Sequence, residues 1–104
     1  MPVYDPHIMR PATGDIWHVG DWVEVIWDTA GVPRGNMEGK IVLGHLEKGS
    51  LDEHLDNDHP LAEGFQISTG SVKVFVPSVA PHDDYIIVLF GDSGNRSGNF
   101  TIAP

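Results

Sequence analysis

From Trp22 the chain alternates strictly, with Val23, Val25 and Trp27 standing against Glu24, Ile26 and Asp28. A period of two puts one set on each side of an extended backbone, so the stretch predicts a strand with one strongly apolar face. Just upstream the period is different. Pro11, Gly14, Trp17 and Gly20 fall at intervals of three, whereas an amphipathic helix needs apolar positions at both three and four. With two glycines and a proline, this ladder reads as a bent segment. Glycine supplies backbone angles that other residues resist, and one large aromatic turns inward. The pair of patterns predicts a β-domain entered past a tryptophan.

The rest of the chain repeats the theme of short apolar runs divided by Gly, Pro, Asp and Asn clusters, the pattern of an all-β sandwich. Seven strands are predicted, at residues 3–8, 22–28, 40–46, 64–67, 71–76, 85–90 and 99–102. Val72, Val74 and Val76 alternate with Lys73 and Phe75, and Pro77 stops that run because it has no N–H for a ladder. Residues 85–90 are apolar without a break, as expected of a central strand covered on both faces. Tyr85, at the mouth of this strand behind Pro81, Asp83 and Asp84, matches a tyrosine corner, in which the phenol bonds back to nearby backbone. Helix is nearly absent; residues 51–55 allow a single turn before Pro60.

With 104 residues the chain is expected to form one domain, residues 1–104, around one core. Fifteen acidic against six basic residues give a formal charge of −9. Such a surface repels phosphate backbones and anionic membranes, which argues against nucleic-acid partners. No cysteine is present, so disulfides, thiolate metal sites and cysteine nucleophiles are excluded. No apolar run approaches the roughly 18 residues of a membrane span. The first residues lack the basic and apolar regions of a signal peptide, which fits a cytosolic protein or a mature secreted domain. Asn95-Arg96-Ser97 and Asn99-Phe100-Thr101 both satisfy the N-glycosylation pattern and favour secretion, making Asn95 and Asn99 candidate acceptors.

The densest set of potential ligands is Asp52, Glu53, His54, Asp56, Asn57, Asp58 and His59. Asp56 and Asp58 offer oxygens to calcium, and His54 and His59 offer nitrogens to zinc. Neither spacing is specific, and the plain alternative is a solvated acidic loop. Adjacent carboxylates such as Asp83 and Asp84 point apart on extended backbone, so adjacency makes no catalytic pair. No nucleophile elbow is present. Gly91-Asp92-Ser93-Gly94-Asn95 has the glycines of a phosphate loop, but no lysine and no following helix, and reads as a hairpin turn. A copper oxidase needs an N-terminal histidine; His7 would serve only if the residues before it, read here as strand, were removed.

The three tryptophans remain. Trp27 shares the apolar face of Val23 and Val25 and belongs in the core. Trp17, between two glycines, is expected to plug one end of the sandwich. Trp22 faces away from Trp27 and is the candidate for an exposed ring that stacks on a sugar.

The spacing Ile8-x-x-Pro11-x-x-Gly14-x-x-Trp17-x-x-Gly20, followed by Val25-Ile26-Trp27, resembles the N-terminal domain of the fungal cell-wall-synthesis proteins. These are also described as the Ser-Thr-rich, glycosylphosphatidylinositol-anchored membrane family, of the yeast β-1,6-glucan synthesis type. Later segments agree: Val74-Phe75-Val76-Pro77, Asp84-Tyr85-Ile86-Ile87-Val88, and Asn95-x-Ser97-x-x-Phe100-Thr101-Ile102. The tract Leu89-Phe90-Gly91-Asp92-Ser93-Gly94-Asn95 is similar to basidiomycete members. The resemblance implies an extracellular, immunoglobulin-like or fibronectin type III-like β-sandwich at the cell wall. It implies no catalytic residues and no cofactor, and partners that are cell-wall glycan or protein. Anchoring is not carried over. The rival expectations are a carbohydrate-active enzyme, either a glycoside hydrolase or a metal-dependent oxidase, and a calcium-stabilised adhesion module built on Asp56 and Asp58.

Overall fold

A computed structural model describes residues 7–31, 37–47, 53–91 and 94–104. Two β-sheets face each other across one apolar core, which is the expected all-β sandwich. The described strands are β1 (Ile8–Arg10), β2 (Ile16–His18), β3 (Trp22–Trp27), β4 (Glu38–His45), β5 (Ala62–Gln66), β6 (Ser71–Phe75), β7 (His82–Phe90), β8 (Gly94–Arg96) and β9 (Phe100–Ala103). One sheet has the order β1-β3-β6. The other runs β2-β9-β7-β4-β5, with β8 also paired to β7.

The three-residue ladder carries the chain from one sheet to the other and back. β1 pairs antiparallel with β3 in the smaller sheet, β2 pairs parallel with β9 in the larger, and β3 returns to the smaller. Gly14 and Gly20 stand at the two crossings with φ of +88° and +89°, angles that an L side chain resists. Their N–H groups donate to the carbonyls of Asn99 and Val76, at 2.9 and 3.1 Å. Asp15 holds the first crossing: its carboxylate accepts from the Ala12 N–H at 2.8 Å and lies 3.1 Å from Arg10 Nε. Between the glycines, Trp17 is buried and packs on Phe100 with ring centroids 4.5 Å apart.

In the smaller sheet Val25, Trp27 and Val74 point inward, as the alternation requires. Ile41, Leu43, Ile87, Leu89, Phe100 and Ile102 face them from the larger sheet. The other face of the larger sheet is covered as well. Val42, Ile86 and Val88 are buried there, which explains why residues 85–90 carry no polar alternation. Behind them, residues 53–61 return along β4, their N–H groups reaching the carbonyls of Leu43 and Ile41. Gly44 allows this approach, since a Cβ would meet the Glu53 carbonyl oxygen at 2.5 Å and Leu55 Cδ2 at 2.6 Å.

The structure corrects the expected elements in detail. The first described strand is Ile8–Arg10, which overlaps the expected residues 3–8 only at Ile8; His7 is not strand, and residues 3–6 lie outside the described residues. β2 and β8 were not expected, because three residues give too short an alternation to read. β7 starts three residues before Tyr85, with a bulge between His82 and Tyr85 that pairing with β9 absorbs. β5 covers Ala62–Gln66 rather than 64–67, because Ile67 opens a short 3₁₀ turn, Ile67–Thr69. No helix forms at residues 53–55, and residues 51 and 52 lie outside the described residues. Where a turn is expected after β7, Phe90 pairs opposite Gly94, and residues 92 and 93 lie outside the described residues. Among the described residues no helix is long and apolar enough to cross a membrane.

The indole N–H of Trp27 donates to the Ile67 carbonyl oxygen at 2.8 Å in the buried core. Trp27→Phe removes this donor and leaves a void, while the Ile67 carbonyl keeps only the longer 3.3 Å bond from the Gly70 N–H, and the change is expected to cost roughly 2–4 kcal/mol. Urea unfolding of the two proteins measures the difference.

Candidate functional site

Two surfaces collect chemistry. The first is the outer face of the smaller sheet. Trp22 and Phe75 stand directly opposite each other on β3 and β6 and are 69% and 48% exposed. Their ring centroids are 5.5 Å apart and the planes meet at 61°, so they form an angled pair rather than one flat platform. The next outward rung pairs Glu24 with Lys73, placing a carboxylate and an ammonium beside the rings. Glu24 also lines an open cleft of about 280 Å³ with Arg10, Asp15, Ile16, Trp17 and Val23. Trp22 is thus the exposed ring that its position in the alternation predicts, while Trp17 and Trp27 are core. Phe75 was missed as a partner because its strand was read for its valine face; the signal was that it alternates with Val74 and Val76.

The second surface lies where β4 ends. His45, the last residue of β4, and Glu47, two residues on, lie on one side of extended backbone. His54 approaches from the segment that returns along β4. His45 and His54 stack with centroids 4.5 Å apart and planes 7° from parallel. Their Nε2 atoms lie 3.5 and 3.8 Å from the two carboxylate oxygens of Glu47. Donor atoms of the three residues all fall within 4.8 Å of one another. His54 adopts φ +46°, an angle uncommon for a residue with a side chain. The His45 N–H donates to the Glu53 carbonyl at 2.9 Å and so fixes the spacing of the two histidines.

The acidic loop is therefore divided. His54 joins His45 and Glu47, while His59 Nδ1 sits 3.1 Å from Asp56 Oδ1 on the exposed part of the loop. Asp58 is exposed in the turn between them. His45 and Glu47 were missed, the first because it was counted as strand. The signal available was His-x-Glu at a strand end. Of the glycosylation candidates, Asn95 is half-buried on β8 and Asn99 is exposed just before β9. Ser97, the hydroxyl residue of the first sequon, is buried; it accepts from the Ile87 N–H and donates to the Gly98 carbonyl, each at 3.0 Å.

One wall of the histidine cluster is the tyrosine corner. The Tyr85 hydroxyl donates to the Ala80 carbonyl oxygen, and the ring meets His45 edge-on at 6.4 Å. His45, Glu47, Ala80, His82, Asp84 and Tyr85 line an open cleft of about 270 Å³. Burial, and then the charge of Asp84, raise the Tyr85 phenol above its ordinary value near 10. The phenol therefore stays a donor throughout the neutral range.

A scan against protein-family models finds no match to this chain, and none is found among curated proteins or solved structures.

Because the folded phenol holds its proton more tightly than the unfolded one, the stability it adds is complete below about pH 10 and declines as pH rises through the raised value. Tyr85→Phe is expected to cost about 1 kcal/mol at neutral pH. That difference should shrink above about pH 10 in chemical unfolding followed across the alkaline range.

Proposed function

We propose that this protein is a non-catalytic β-sandwich of the extracellular fungal cell wall that holds uncharged glucan chains on the face carrying Trp22 and Phe75. The observation that carries the reading is the pair of exposed rings facing each other across β3 and β6. Large aromatic side chains exposed side by side cost solvation in a protein that binds nothing. A pyranose ring offers apolar C–H faces that stack on such rings, and hydroxyl groups that bond to neighbours such as Glu24 and Lys73.

Charge supports the choice of ligand class. A formal charge of −9 disfavours polyanions, whereas stacking on an aromatic face needs no charge on the ligand. The angle of 61° between the rings suits a bent, soluble chain better than the flat face of a crystalline polymer. The resemblance of the Pro11–Gly14–Trp17–Gly20 ladder and the strands after it to fungal cell-wall-synthesis domains directs attention to β-1,6-glucan, with β-1,3-glucan as the comparison.

Calorimetric titration with soluble β-1,6- and β-1,3-glucan is expected to give binding to at least one of them. Trp22→Ala should weaken it about tenfold or more without a change in melting temperature beyond a few degrees. Absence of heat with both polymers overturns the glycan reading. Release of reducing ends from either polymer overturns the non-catalytic one.

A further inference from the structure

We propose that His45, Glu47 and His54 form a binding site for one divalent transition-metal ion, with zinc the ion best suited. The site is independent of the glucan reading, since it uses none of the same residues.

The donor set comes first. Two imidazoles and one carboxylate are the three-ligand set in which zinc keeps a fourth position for water or another donor. Nitrogen donors disfavour calcium and magnesium, which take oxygens. Geometry is the second ground. Four-coordinate zinc with bonds of 2.0–2.1 Å sets its ligand atoms about 3.3 Å apart. The three donor atoms already lie within 4.8 Å, so closing on an ion shortens their separations by roughly 1.5 Å at most, together with a rotation of the imidazole rings. The two N···O separations, 3.5 and 3.8 Å, are longer than a good hydrogen bond. The groups thus converge on a shared volume without filling it by bonding to each other.

The surroundings fit the same purpose. Each histidine is placed by backbone that is itself held: His45 by the ladder with Tyr85 and by its N–H bond to Glu53, His54 by the segment that the absence of a side chain on Gly44 admits. Glu47 is the exposed partner, its side chain 60% accessible, so its carboxylate can close on an ion without disturbing the core. His45 and Glu47 line an open cleft, from which a water completes the coordination. The His45 and His54 rings are stacked 7° from parallel, and because a metal bond lies in the imidazole plane, binding one ion turns the rings out of this stack so that both Nε2 atoms aim at it.

The test is titration of the metal-free protein with zinc alone, by calorimetry and by thermal unfolding. One ion per chain should bind, the melting temperature should rise by several degrees, and chelation should reverse the rise. Glu47→Gln and His54→Ala should each weaken binding at least about tenfold, while His59→Ala should leave it unchanged. Glu47→Gln decides the matter if His54→Ala does not fold, because the carboxylate is exposed and the change is isosteric. Cobalt in place of zinc should give the visible absorption of a four-coordinate ion in the wild type and lose it in Glu47→Gln. No binding by the wild type, unchanged binding in Glu47→Gln, or loss confined to His59→Ala would each overturn the assignment.

Discussion

The fold turns on one buried hydrogen bond, from the Trp27 indole to the Ile67 carbonyl. Trp27 is the largest fully buried side chain in the core, and its N–H cannot be left without an acceptor there. The acceptor comes from the 3₁₀ turn that joins β5 of the larger sheet to β6 of the smaller. A strand of one sheet is therefore tied to the connection between the sheets. The backbone repeats the link, since the Trp27 N–H donates to the Gly70 carbonyl at 2.9 Å. Gly70, with φ +79°, turns the chain at that point. Phe65 then packs on Trp27 at 5.5 Å, so β5 and the turn both meet one indole.

Trp17 performs the corresponding task at the other side of the molecule. Its strand is too short to hold itself, with three residues pairing against β9. It is held by the burial of the indole against Phe100 and by glycines that let the chain enter and leave. The residues on which the expected resemblance to cell-wall domains rests are largely residues of this kind. Gly14, Gly20, Trp17, Tyr85, Ser97, Phe100 and Ile102 set crossings, a corner, a change of strand partner and a core. Ser97 is instructive: its hydroxyl takes the Ile87 N–H on β7 between the residues that pair with β9 and those that pair with β8. A pattern made of such residues specifies a sandwich and leaves its chemistry open.

This division explains what was legible from the residues alone. Alternation over Trp22–Trp27 and the valines of β6 gave strand, facing and the exposure of Trp22, because period two and burial are the same fact in a sheet. The unbroken apolar run of β7 announced two covered faces, and Pro81 with Asp83 and Asp84 announced the corner at Tyr85. The metal-ligand cluster was only half legible. His54 was visible as a histidine in an acidic loop, but its neighbours on that loop were the wrong ones. His45 reaches it through the pairing of residue 53 with β4, a contact that no local spacing encodes. Pairing across strands, not composition, decides which side chains meet.

The same pairing places the two candidate surfaces toward one end of the sandwich. Phe75 ends β6, and residues 76–81 lead directly to His82 at the start of β7. Tyr85 of β7 stands opposite His45 at the end of β4. Trp22 opens β3 beside Phe75, where the Gly20 N–H meets the Val76 carbonyl and the Val76 N–H meets that of Asp21. Residues 76–81 thus run from the aromatic pair to the tyrosine corner, and Ala80 serves both as the acceptor for Tyr85 and as a wall of the cleft beside His45. Loops gathered at one end of a rigid sandwich can vary without disturbing the core. The core here is fixed by Trp17 and Trp27, so the chain is free to put an aromatic face and a histidine cluster at the same end without disturbing it.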